Sequence, residues 1–138
     1  MVNPDRGTDH YFSAIDIGER AGAKVAISYY RTDRVKNENN PPSGGFGPDV
    51  ATKMSDYVLS GGTDLHAPYA FTVLSPRFPP PDGLQAGFNG DYSGIVVDAN
   101  DMAHPTWSDT RNRIPNPDFN KGTVDEDVFT STRPIPGG

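Results

Sequence analysis

The sequence predicts an all-β chain built from antiparallel meanders, and three observations carry that expectation. Glycine and proline number 15 and 14 among 138 residues, which leaves little room for long helices. The apolar clusters are short, β-branched or aromatic, and bounded by turn residues, with no window of sustained 3.6-residue periodicity. A meander pattern also occurs twice, so that one small sheet is expected to repeat.

Taken in order, residues 1–9 are polar and read as an N-terminal loop. His10 to Ile17 alternates as a first strand, and Gly18-Glu19-Arg20-Ala21-Gly22 turns the chain. Lys24 to Arg31 forms a second strand, with Val25, Ile27 and Tyr29 on one face. A long polar stretch, Thr32 to Met54, precedes a third strand from Ser55 to Ser60, and Gly61-Gly62 ends it. That stretch is either a solvated insertion or a functional loop. Tyr69 to Ser75 is the fourth strand. Pro76 to Asn89, with Pro79-Pro80-Pro81-Asp82-Gly83, excludes strand interior.

The second meander opens with a hairpin. Ile95, Val96 and Val97 lead into the turn Asp98-Ala99-Asn100-Asp101, and the chain returns over Ala103 to Trp107, ending in Ser108-Asp109-Thr110-Arg111. After a polar loop, Glu126 to Thr132 forms the last strand, and Arg133 to Gly138 reads as an end or a linker.

The repeat aligns Ser13–Ile17 with Ser93–Val97, Val25–Tyr29 with Ala103–Trp107, and Asp56–Ser60 with Asp127–Ser131. Repeated antiparallel meanders are the signature of a β-propeller. The expected organisation is a first blade over 10–75, an inter-blade loop over 76–90, a second, three-stranded blade over 91–133, and a tail over 134–138. Fewer than two full blades cannot close a propeller, so the chain is expected to leave strand edges and an apolar blade face uncovered. The short connections at 18–22, 61–68 and 98–101 fall at one end of the meanders. The long ones at 32–54, 76–91 and 109–125 fall at the other, where binding groups are expected. Arg31, Asp33, Arg77, Asp91, Tyr92, Asp109 and Arg111 belong to that long-loop end, and Gly61 and Asp98 to the opposite one.

Three stretches, Phe88-Asn89-Gly90-Asp91-Tyr92-Ser93-Gly94, Trp107-Ser108-Asp109-Thr110-Arg111 and Glu126-Asp127-Val128-Phe129-Thr130, resemble the last blade of the sialidase-like, bacterial neuraminidase-type β-propellers. Lys24 to Asp33 resembles the preceding blade, and the likeness runs from about residue 10 to 133. The resemblance implies a C-terminal piece of a glycoside hydrolase acting on extracellular glycans. It also implies further blades in a longer parent chain that is secreted or displayed at the cell surface. A non-catalytic module binding carbohydrate or protein, and a structural fragment without activity, are the rival expectations. No Asp-box of the Ser-x-Asp-x-Gly-x-x-Thr-Trp type is present, and the family's arginine cluster, tyrosine–glutamate pair and acid–base aspartate match no position here.

The binding candidates are Asp91, Tyr92, Trp107, Asp109 and Arg111, with Arg31 and Asp33 at the equivalent strand end of the first blade. A tyrosine beside a carboxylate can hold sugar hydroxyls or act as a nucleophile; equally, Asp91 can be a turn residue and Tyr92 packing between blades. Trp107, Asp109 and Arg111 can form a stacking ring, an acceptor and a carboxylate clamp, or fill the core and fix a strand end. Arg31, Asp33 and Arg34 carry the same two readings.

No cofactor is expected. Asp118, Asp125, Glu126 and Asp127 can offer oxygens to calcium but lack EF-hand spacing, and a solvated acidic loop is the alternative. His10, His66 and His104 are dispersed, and there are no cysteines for a thiolate site. A net charge of −6 with scattered basic residues argues against nucleic acid and anionic membranes as partners. No apolar run approaches the roughly 20 residues that span a bilayer. Met1 to Arg6 lacks the layout of a signal peptide, so a secreted parent would carry its signal elsewhere.

Overall fold

The computed structural model of the chain describes residues 8–20, 22–33, 54–63, 68–80, 93–115 and 123–137. They form two four-stranded antiparallel sheets. The first contains β1 (Thr8–Ile17), β2 (Val25–Asp33), β3 (Ser55–Gly62) and β4 (Ala70–Val73), paired in chain order. The second contains β5 (Gly94–Val97), β6 (Met102–Ile114), β7 (Thr123–Thr130) and β8 (Arg133–Pro134). In it β5 pairs with one edge of β6, while β7 and then β8 share the other.

The sheets pack face to face because alternation along each strand gives both an apolar inner surface. Ala26 and Leu59 of the first sheet meet Ala103 and Ile135 of the second, with Leu74, Ile95 and Val97 packed around them. Beside this lies an aromatic cluster of Tyr30, Tyr57, Phe78 and Trp107, joined by Tyr11 and Phe129. Tyr57 stacks on Trp107 across the interface, with centroids 4.9 Å apart and planes 11° from parallel. Tyr11 stacks on Tyr30 at 5.1 Å. Each such ring pair adds about 0.5–1.5 kcal/mol beyond the area it buries. The Tyr30 hydroxyl crosses to β6, donating to the Ser108 carbonyl at 2.7 Å and accepting from its N–H at 2.9 Å.

The outer surfaces differ. On the first sheet Ile15, Ile17, Phe71 and Val73 stand exposed, around Val25, Tyr29 and Val58 on the shielded central strands. The second sheet's outer surface carries His104, Thr106, Ser108, Glu126 and Thr130, with Val96 and Val128 as its exposed apolar residues. One outer face is therefore suited to water and the other is not.

The short turns lie together. Arg20 donates from Nε to the Ala99 carbonyl at 2.5 Å and from Nη2 to Asn100 Oδ1 at 3.2 Å. The Val97 N–H on edge strand β5 donates to Asp16 Oδ2 at 2.7 Å. Gly18 packs closely here: a methyl group on it would sit 2.5 Å from Asp101 Oδ1, and that side chain would have to shift. At the far end Ser55 and Phe78 exchange backbone hydrogen bonds of 2.9 and 2.8 Å. There Thr110 Oγ1 also donates to the Pro79 carbonyl.

Four features differ from the expectation. The second sheet has four strands, since Arg133 and Pro134 pair with Ala103 and Met102 instead of forming a tail. Ile135 beyond them is only 3% exposed and packs into the inner core. The reason is space: Gly61 has no side chain, and a methyl there would collide with Ile135 and approach the Val25 carbonyl to 2.8 Å. Strand β6 continues past Arg111 to Ile114 through an irregularity between Asp109 and Asn112. Strand β1 begins at Thr8 and breaks register between Tyr11 and Ala14, where Phe12 takes a positive φ of 48°.

Candidate functional site

A cleft of about 210 Å3 opens at the long-loop end of the first sheet, lined by Thr8, Arg31, Thr32, Asp33, Asp56 and Arg77. Its floor follows from strand register. Arg31 on β2 lies directly opposite Asp56 on β3, so the guanidinium meets the carboxylate as a fork. Nε donates to Oδ1 at 2.9 Å and Nη2 to Oδ2 at 2.7 Å, with the Asp56 side chain only 6% exposed. Thr8 lies opposite Asp33 on the other side of β2.

The rim comes from two strand ends. The Met54 N–H donates to Asp33 Oδ2 at 3.3 Å, while Arg77 Nη2 donates to the Met54 carbonyl at 2.9 Å and reaches Asp33 Oδ1 at 2.5 Å. The Arg77 and Asp33 side chains are 51% and 38% exposed, so this pair faces solvent. The cleft thus sets two arginines against two aspartates. Chemically it offers donors and acceptors together, and the charges of these four described side chains balance. Sequence reasoning singles out Arg31 and Asp33 as binding candidates. It places Arg77 at the same long-loop end without naming it as a binding candidate, and it does not single out Thr8 or Asp56, whose relation to them appears only once the strand register is fixed.

Trp107, Asp109 and Arg111 lie together at the same end of β6. Asp109 is fully buried and accepts from Trp107 Nε1 at 2.9 Å and from the Arg111 backbone N–H at 3.1 Å. Arg111 also donates from Nε to Oδ1 and Oδ2 at 2.8 and 2.9 Å, and its Nη2 completes the pair. The guanidinium lies 3.8 Å above the centre of the Phe129 ring, and Trp107 is 3% exposed beneath Tyr57. In this geometry every polar group of the set serves another. The expected sugar-stacking face of Trp107 is covered by Tyr57 and Phe129. Asp91, Tyr92 and Arg34 lie outside the described residues.

Tyr30 and Tyr57, in the aromatic cluster near this end, are poor nucleophiles. Burial pushes the Tyr30 phenol well above its ordinary value, and the hydrogen bond it accepts from the Ser108 backbone N–H does not offset it. Burial raises Tyr57 in the same way, and its hydroxyl donates to Ser28 Oγ at 2.9 Å. Glu126 lies beyond Ser108, whose Oγ donates to Oε1 at 2.8 Å.

Among the described residues no group of three or more histidine, cysteine or acidic side chains is placed to hold a metal. Asp127 instead accepts from Asn112 Nδ2 at 2.7 Å, and Asp118 lies outside the described residues. His104 bridges Asp98 Oδ2 and Thr132 Oγ1 at 3.1 Å each, on the outer face of the second sheet. No described helix is long and apolar enough to cross a membrane. No family model, curated protein or solved structure matches the chain.

Proposed function

We propose that the chain supplies two neighbouring blades of a sialidase-like β-propeller whose long-loop face binds extracellular glycans. The observation that carries the function is the cleft of Arg31, Asp33, Asp56 and Arg77, at the end where the long connections gather. Carbohydrate recognition needs donors and acceptors side by side, because each sugar hydroxyl is both.

The scaffold part of the proposal draws support from the direction of the repeat. Ile15, Ile17, Tyr29 and Val58 lie on the first sheet's outer face, while their repeat partners Ile95, Val97, Trp107 and Phe129 pack against the first sheet. The two sheets therefore face the same way, as successive blades do.

Burial of Tyr30 and Tyr57 sets these two aside as nucleophiles, since a nucleophilic phenol needs access and a lowered pKa. The experiment is a ligand-observed NMR screen of the chain against a panel of neutral and acidic oligosaccharides, repeated with Arg77→Ala. Binding that weakens in the variant at unchanged Tm is the expected result. A panel that gives no binding, or binding indifferent to Arg77, contradicts the proposal.

A further inference from the structure

The charge pairing inside the cleft bears on which sugar it accepts. Both guanidiniums already hold a carboxylate: Arg31 holds Asp56 through a two-point fork, and Arg77 holds Asp33. Among the described residues the two pairs cancel, and the chain as a whole carries a net charge of −6. We infer that the cleft selects neutral sugars, recognised through their hydroxyl groups, and discriminates against sugars that carry a carboxylate; this rests on the glycan-binding reading of the same cleft.

An acidic ligand would have to displace Asp56 or Asp33 from its arginine. Each is an internal competitor of the same chemistry, held in place by the fold at no cost in association entropy. Asp56 is the harder to displace, because it is nearly buried and its loss would leave a carboxylate without its counter-charge. At the rim Asp33 is 38% exposed and would repel an incoming carboxylate directly. A neutral hydroxyl meets none of these penalties. It donates to the aspartate oxygens and accepts from Arg77, leaving both ion pairs in place. Arg77, the most exposed of the four side chains at 51%, is the group that sets how a ligand enters.

Lactose and sialyllactose form the decisive pair, since they share a neutral core and differ by one acidic sugar. Titration of the full chain by NMR or calorimetry is expected to give tighter binding of lactose. Asp33→Asn releases Arg77 from its carboxylate and should shift the lactose-to-sialyllactose affinity ratio towards the acidic sugar by about tenfold, the size of one charge-assisted hydrogen bond. Circular dichroism confirms that the variant is folded, and the comparison on the native chain stands without it. Tighter binding of sialyllactose to the native chain overturns the inference while leaving glycan binding intact. An unchanged ratio in folded Asp33→Asn also overturns it. Binding of neither sugar overturns the inference and the glycan-binding reading together.

Discussion

Tyr29 and Trp107 hold the same place in the repeat, and Trp107 faces the first sheet while Tyr29 faces away from the second. Tyr30, not Tyr29, joins Trp107 in the aromatic cluster between the sheets. In a sandwich whose halves are related by a twofold axis, the residues that meet at the interface would be the ones that match in sequence. Here the match is offset by one residue, which on a strand means the opposite face. The sheets are stacked in one direction, so the first one presents outwards the kind of surface that the second buries inwards.

The link between Tyr30 and Ser108 ties β2 to β6 across that interface. Tyr30→Phe keeps the ring stacking and removes one hydroxyl, leaving the Ser108 N–H and carbonyl without their partner. A loss of about 1–3 kcal/mol is expected. Urea denaturation of the two proteins measures it, and equal midpoints would mean that water replaces the hydroxyl without penalty.

Asp109 and Arg111 are expected to behave as a structural pair. Asp109→Asn strips the charge from a buried carboxylate that four N–H groups address, and should cost about 3 kcal/mol or more. Arg111→Lys keeps the charge but loses the planar fork and the contact with Phe129, and should cost about 1 kcal/mol. Thermal melts rank the two. A larger loss in the lysine variant would shift the weight from the buried carboxylate to the ring contact.

The turn between β5 and β6 should loosen in acid. The Asp98 carboxylate is held below its ordinary value of 3.8 by the Met102 N–H first, then by His104 and the Asn100 N–H. A carboxyl group with a depressed folded-state pKa stabilises the fold fully above its unfolded value, and that contribution disappears as pH falls through the folded value. Protection of the Met102 and Asn100 amides, taken relative to their intrinsic exchange rates, should therefore be full above pH 3.8 and fall as pH drops through the lower folded-state value. Asp98→Asn should flatten the profile, and a flat profile in the native chain would deny Asp98 this role.

Much of this fold is legible in the sequence, because alternation is a local property. Seven strands and the face of Val25, Ile27 and Tyr29 follow from side-chain order alone. The end on which the long connections gather follows from counting turns. Polar residues that find partners only through the fold are not legible. Ser108 to Arg111 reads as a strand end, yet β6 runs on through it to Ile114, with Asp109 satisfied by Trp107 and Arg111. Arg133-Pro134-Ile135 reads as a tail because proline suits linkers. Its pairing depends on the edge of β6 at Met102 and on the space above Gly61. In the cleft, Arg31 and Asp33 stand out in the chain and Arg77 is placed at the same end, whereas Asp56 becomes relevant only through register and the pairing of Arg77 with Asp33 only through contact.

The most direct test of the stacked-blade account is sedimentation velocity of the full chain over a wide concentration range, comparing the native protein with Ile15→Lys/Val73→Lys and with Val128→Lys. Ile15 and Val73 are 63% and 43% exposed on the apolar outer face of the first sheet, whereas Val128, at 75%, lies on the polar outer face of the second. The account predicts concentration-dependent association of the native chain, its loss in the double variant and its persistence in Val128→Lys. A native chain that stays monomeric at every concentration and unfolds in one cooperative transition would contradict it.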